Sequence, residues 1–362
     1  MQPNSDNNNR SSDWKVHPSK SVNQRKMAKF TFGLKLLFGI CLLALIFRFA
    51  ADLRSTVKEI RAAKIGWLMV AIIVAIAGEL LTAFKWKLLL NYVGEHLPLK
   101  HAIKASFVGM FYNNLLPGSV GGDIARALHI ASHVGGKARA AASAFMQRNS
   151  GMGGLLLVAN FASWIWFSQV SIGKSISSPF NKPAFWFAAA SVGYISINCI
   201  LMLNSLYLLI WQRGVRLIDR QGNRPRLLKI LNLLHKLHLE VQMYRSYWTI
   251  SLAISIATQL IDCTMVFMLA QAIGLSIPYF MFLIVVPLVT LAAMTPITFN
   301  GIGLREMAYV LLFSGTVLSN EKLVGLSLLQ LGMTAFLSTM GGIVQLYEMR
   351  INRPRPSNDV IS

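Results

Sequence analysis

Two arginines follow two prolines at the same interval. Pro117 is followed by Gly122 at +5 and Arg126 at +9, and Pro296 by Gly301 at +5 and Arg305 at +9. The stretches that hold them read NNLLPGSVGGDIARALHI (113–130) and TPITFNGIGLREMAYVLLF (295–313), and each runs on into an apolar, helix-like segment. Proline and glycine inside an apolar region free backbone groups that only protein or a water-filled cavity can satisfy, so such a break is costly unless it builds something. What it builds is the start of a half-helix, near Gly122 and near Gly303. The N–H groups and positive dipole end of such a helix favour an anion. An arginine on its first turn or two adds a planar fork suited to phosphate. Arg126, Arg305, Gly122, Gly301, Gly303, Asn114, Asp123, Glu306 and Arg148 are therefore the candidate binding residues, with Pro117 and Pro296 as structural breakers. Asp123 reads as an N-cap. Glu306 reads either as the partner of an arginine or as a proton site. Arg148 reads as a contact to the anion or as a structural pair.

The elements that must position these residues are apolar helices. The chain has 362 residues, of which 54% are hydrophobic and 14% charged. Its mean hydropathy is +0.51. Soluble domains carry about 25% charge, and several runs here exceed the roughly 20 apolar residues that cross a bilayer. The sequence predicts an all-α polytopic membrane protein. Full spans are expected at about 31–50, 66–90, 141–168, 185–211, 246–273 and 323–348, with two Pro/Gly-broken re-entrant regions at about 102–134 and 279–315. Residues 1–29 read as a disordered cytoplasmic tail, 30–350 as the membrane domain and 351–362 as a second cytoplasmic tail. The domain divides into halves of about 30–211 and 246–350, joined by a basic loop, 212–245.

The net charge of +21 sits between the apolar runs, which is the positive-inside pattern rather than a nucleic-acid footprint. Six Lys/Arg in the N-terminal tail, eight in 213–245 and three from Arg350 onward place both termini in the cytoplasm. The exception is 52–64, with four Lys/Arg on the outer side, which reads as an interfacial helix. LLKILNLLHKLHLE in the central loop reads as a basic amphipathic helix on the inner leaflet. The two prolines lie 179 residues apart, and the spans preceding them cross in opposite directions, so the pattern predicts an inverted repeat of the kind found in secondary transporters. Glu79 and Asp262 lie mid-span in the two halves and are candidates for a pseudo-symmetric pair, although their offsets to the prolines are 38 and 34.

At these residues the sequence resembles the lysylphosphatidylglycerol synthase transmembrane family, a flippase-like module. The stretches from Asn113 through Arg126 and from Pro296 through Glu306, and Lys85-Trp86-Lys87 at the end of the second span, carry the resemblance over about 30–350. The family often has Glu-Arg where this chain has Gln147-Arg148, which removes a carboxylate. The resemblance implies lipid translocation or handling of a lipid-linked substrate in the bacterial cytoplasmic membrane, by a membrane module without the soluble aminoacyl-transferase domain of the lysyl-lipid synthases. The implied partner is a membrane phospholipid or a polyprenyl-phosphate-linked lipid, with a lipid-modifying enzyme as a further candidate partner.

The rival readings are a membrane-embedded transferase acting on a lipid phosphate, which needs a base or metal beside the phosphate, and an accessory protein of a lipid-modifying enzyme. No catalytic constellation accompanies Asp123 and Glu306, so no enzyme activity is expected. No cofactor is expected either. His129 and His133 are one helical turn apart but lack further ligands, so no metal is expected. Cys41, Cys199 and Cys263 lie inside apolar runs without metal or disulfide spacing and read as small buried hydrophobes.

Overall fold

A computed structural model of the chain describes Val22 to Ile351, except 116–120, 172–180, most of 203–224, 296, 299–300 and 314–317. All regular structure among the described residues is helical: α1 Val22–Phe49, α2 Leu53–Arg61, α3 Ile65–Tyr92, α4 Leu99–Leu115, α5 Gly121–Ile130, α6 Lys137–Ser171, α7 Asn181–Met202, α8 Pro225–Gln242, α9 Trp248–Ala272, α10 Tyr279–Met294, α11 Leu304–Leu312 and α12 Asn320–Ile351. The first helix begins at Val22, so the polar tail is shorter than 1–29; the remainder of that tail, both prolines and the stretch after Ile351 lie outside the described residues.

Helices α3 and α9 form the central pair; α4 packs on α3, α5 and α12, and α6 packs on α5, α8, α9 and α10. Large apolar side chains such as Leu37, Ile73, Val192, Ile195, Ile343 and Leu346 stay exposed. Water would not tolerate that much apolar surface, and a bilayer covers it. Ile65–Tyr92, Arg245–Ala272 and Asn320–Tyr347 are each long and apolar enough to cross a membrane. Leu36–Phe49 qualifies only together with α2, from which it is bent by 95°. Helix α6 covers the span expected at about 141–168. Its 35 residues reach about 52 Å, but its first half carries Arg139, Gln147, Arg148 and Asn149, which turn to the interior rather than to lipid. Helix α2 is strongly amphipathic and opens on Asp52, which accepts the Ser55 N–H at 2.7 Å. It has the form expected of an interfacial helix, and α8 supplies its counterpart in the central loop. Of the three cysteines only Cys263 is buried; Cys41 and Cys199 are exposed on helix faces that water does not claim.

The connector after α3 recurs after α9. Gly94 and Gly274 both have positive φ, 84° and 67°. The Glu95 N–H bonds the Leu90 carbonyl at 3.1 Å, and the Leu275 N–H bonds the Ala270 carbonyl at 2.9 Å. The next helix then opens at a proline: His101 N–H bonds Pro98 O at 2.9 Å and Met281 N–H bonds Pro278 O at 3.0 Å. Each of these pairs is 180 residues apart. That shift also carries α3 onto α9, α4 onto α10, α6 onto α12, and α2 into α8. Under this register Glu79 corresponds to Gln259 and Asp262 to Thr82, so the two acids are not each other's equivalents as the sequence suggested. The unequal offsets to the prolines already carried that mismatch.

Candidate functional site

Helices α3, α5, α6, α9 and α10 line an open polar cavity of about 230 Å³. Helix α3 contributes Glu79, Thr82 and Lys85; α5 contributes Arg126; α6 contributes Gln147 and Arg148; α9 contributes Thr258, Gln259 and Asp262; and α10 contributes Thr290. Ionisable residues at membrane depth are expensive and mark functional sites by default.

Arg126 reaches the cavity because α5 folds back tightly on α4. A Cβ at Gly122 would collide with the Gly109 carbonyl and the Asn113 side chain, and a Cβ at Gly109 would meet Arg126 Cβ at 3.2 Å. Only glycines let these backbones approach so closely. The guanidinium is then held from three sides. Arg126 Nη2 lies 2.8 Å from Asp123 Oδ1 and 3.4 Å from the Ala144 carbonyl. Its Cζ sits 5.1 Å from the centre of the Trp86 ring, a cation–π contact. Trp86 is itself fixed, its indole N–H donating to Ser143 Oγ at 3.1 Å. The Arg126 Nε is buried without a hydrogen-bond partner. Arg148 Nη1 binds the other oxygen of Asp123 at 2.5 Å. One carboxylate thus holds two guanidinium groups together, which leaves a net positive wall.

Asp123 is the third residue of α5 rather than its N-cap, because the helix already begins at Gly121. The Gly122 N–H donates instead to Asn113 Oδ1 at 2.8 Å. That N–H is therefore not free for an anion, and the arginines rather than this amide supply the positive charge. Asn114 points away from the cavity wall: its Nδ2 donates to Thr334 O at 3.2 Å, tying α4 to α12.

The second break is built differently. Gly301 and Gly303 take positive φ of 74° and 83°, a conformation open to glycine and few others. Gly303 is the N-cap of α11, and its N–H donates to Glu306 Oε2 at 2.7 Å. Ser327 Oγ donates to Glu306 Oε1 at 2.8 Å. With 1% of its surface exposed, Glu306 is a helix cap, and among the described residues it forms no ion pair with an arginine. Arg305 makes no side-chain hydrogen bond or ion pair among the described residues, and its Nε is buried without a partner. It is not in the cavity lining, so the two arginines do not face each other across this chamber.

Lys85 was singled out in the sequence only as part of a motif; the fold makes it a member of the chamber. It is 3% exposed. Its Nζ contacts Ser255 Oγ at 2.9 Å, Gln147 O at 3.2 Å and Ser150 Oγ at 3.4 Å. Both hydroxyls already give their protons to carbonyls, Ser255 to Ser251 at 2.7 Å and Ser150 to Gln147 at 3.0 Å. Lys85 is therefore the donor to both hydroxyls. Gln147 stands where the similar family often has Glu; its amide nitrogen donates to Thr82 O at 2.8 Å and ties α6 to α3.

The chamber does not stand alone. An apolar groove of about 460 Å³ runs between α6 and α7 and includes Phe145, Leu156, Tyr194, Ile197 and Leu291. Arg148 and Met152 belong to both the groove and the polar cavity. A second apolar pocket of about 420 Å³, lined by α6, α7 and the start of α9, shares Leu156 and Tyr194 with that groove. The residues that the sequence left unnamed, Thr82, Thr258, Gln259 and Thr290, all line this chamber. The repeated Gly94–Pro98 and Gly274–Pro278 spacing was the signal that would have placed two of them opposite the acids.

A comparison with curated proteins finds no match. The model of the family described as "Lysylphosphatidylglycerol synthase TM region" matches residues 34–342, and the chain belongs to that family.

Proposed function

We propose that this protein moves an anionic lipid head group across the bacterial cytoplasmic membrane, with both termini in the cytoplasm. The observation that carries the reading is the shared wall of two unlike spaces. A chamber lined by Arg126 and Arg148 shares Arg148 and Met152 as wall residues with an apolar groove between α6 and α7. A phospholipid or polyprenyl phosphate has this duality, an anion joined to a hydrocarbon chain. A soluble anion would leave the groove without purpose.

The halves related by 180 residues act as an inverted repeat in this proposal. Alternating access then exchanges the roles of the two halves around the α3–α9 pair. Arg305 serves in the state opposite to this one. The motif carboxylates are engaged, Asp123 by two arginines and Glu306 by a backbone N–H and a serine. A transferase that used either of these two as its base would first have to break those bonds.

The test is translocation of fluorescent acyl-labelled phosphatidylglycerol in proteoliposomes, read by quenching from outside. The wild-type protein exposes the inner-leaflet label, and Arg126→Ala and Arg305→Ala each leave it protected, while labelled phosphatidylcholine is not moved by any of them. Translocation that persists in both variants overturns the proposal.

A further inference from the structure

Counted as formal charges, the ionisable groups around the chamber cancel. Lys85, Arg126 and Arg148 are three cations, and Glu79, Asp123 and Asp262 are three anions. Two of the three basic groups are arginines, and the third, Lys85, contacts Ser255 Oγ, Gln147 O and Ser150 Oγ. Asp123 accepts from both guanidinium groups. Glu79 and Asp262 differ. Neither has an ion pair or a side-chain hydrogen bond among the described residues. Among the described residues, Arg126 and Lys85 face the pair from the chamber, and Cys263, buried behind Asp262, takes a contact from Gln259 Nε2 at 3.7 Å. From α10 the chamber is faced by Thr290 and Met294, which carry no charge.

A monoanionic phosphate entering a neutral chamber leaves one uncompensated negative charge at membrane depth, which is strongly unfavourable. We propose that the Glu79–Asp262 pair takes up one proton from water when an anionic head group binds, so that anion and proton cross together. One carboxylate becomes a carboxylic acid, no other bond changes, and release of the head group on the far side returns the proton to water. The two acids come from the two halves, on helices that pack against each other as the central pair. At each of their positions the other half holds a neutral polar residue, Gln259 for Glu79 and Thr82 for Asp262. The pair is thus held between the halves, where alternating access would turn it from one side to the other.

This inference rests on the anionic-lipid reading. It is tested by calorimetric titration of the full-length protein in neutral detergent with dihexanoylphosphatidylglycerol, in buffers of different ionisation enthalpy, between about pH 6 and pH 8. The expected result is uptake of about one proton per lipid bound, with affinity weakening by about tenfold per pH unit on the alkaline side. Glu79→Gln and Asp262→Asn each mimic the protonated pair, so each is expected to lose the uptake and to bind about tenfold more tightly than wild type at the alkaline end. Circular dichroism of each variant establishes that it is folded. Binding by wild type without proton uptake overturns the coupling and leaves the lipid reading standing. Uptake that persists in both folded variants overturns the assignment to this pair. No binding of the lipid, by titration and by native mass spectrometry, overturns both readings.

Discussion

The two breaks share a proline, a glycine and an arginine at the same spacing, and each has an acidic residue at the third position of the helix that follows. They use that acid in opposite ways. Asp123 turns outward and joins Arg126 to Arg148. Glu306, one methylene longer, folds back onto the Gly303 N–H that opens its own helix. The amide that Asp123 leaves alone is taken by Asn113 from α4. The lesson is that the repeat fixes where an arginine stands, while the partner of the neighbouring acid fixes whether that arginine joins a charged chamber. The first break makes a site and the second, in this state, makes a helix start.

The comparison breaks most visibly at the arginines. Arg126→Ala is expected to weaken phosphatidylglycerol binding by about 1,000-fold, about 4.1 kcal/mol. Arg305→Ala is expected to change it by less than about threefold, although it stops transport. Titration of detergent-solubilised protein reads both, and an equal loss in the two variants would make the asymmetry wrong. A smaller effect is expected at the acids, read by thermal unfolding. Asp123→Asn takes the shared carboxylate charge from two guanidinium groups and costs about 2–3 kcal/mol, below the full range for a buried pair because Arg148 is 29% exposed. Added phosphatidylglycerol should recover that loss, because it restores an anion to the two arginines. Glu306→Gln weakens a charge-assisted cap and costs about 1 kcal/mol; lipid should not recover it. Rescue of both, or of neither, would erase the distinction between a site and a cap.

The smallest expected effect separates the two amphipathic helices. In α8, His238 is buried and stacks on Tyr207, with ring centres 3.4 Å apart. Burial, and then the neighbouring His235, lower its pKa. A lowered histidine pKa means that the undocked helix binds the proton more readily. Docking of α8 is therefore fully present above the ordinary value of about 6.5 and weakens as pH falls below it. Hydrogen exchange at about pH 7 and about pH 5 should show α8 loosening on acidification while α2, whose sequence LRSTVKEIR has no histidine, does not. Equal loosening of both would assign the effect to something other than His238.

Much of the fold was legible because hydropathy and helix breakers act locally. The apolar runs, the two breaks, the basic amphipathic helix and the match between Pro117–Arg126 and Pro296–Arg305 follow from residue type and spacing. At α6 the sequence shows length and an apolar second half but not that Arg139 and Arg148 turn to acids elsewhere in the fold. Arg139 binds Glu95 and Glu240, which lie 44 and 101 residues away in the chain. The candidate site was legible in part. Arg126 and Arg148 were named, but the role of Lys85 depends on Ser150 and Ser255, whose hydroxyls belong to two other helices.

The sequence by itself determined that this is a helical membrane protein with two half-helix starts and an arginine on each, because solvent preference and backbone chemistry are properties of neighbours in the chain. Only the tertiary structure decided which arginine meets a carboxylate, which amide is already capped, and which charges share one small chamber. Those are questions of distance between helices, and the energy of a charge at membrane depth depends on its nearest few ångströms rather than on its place in the chain.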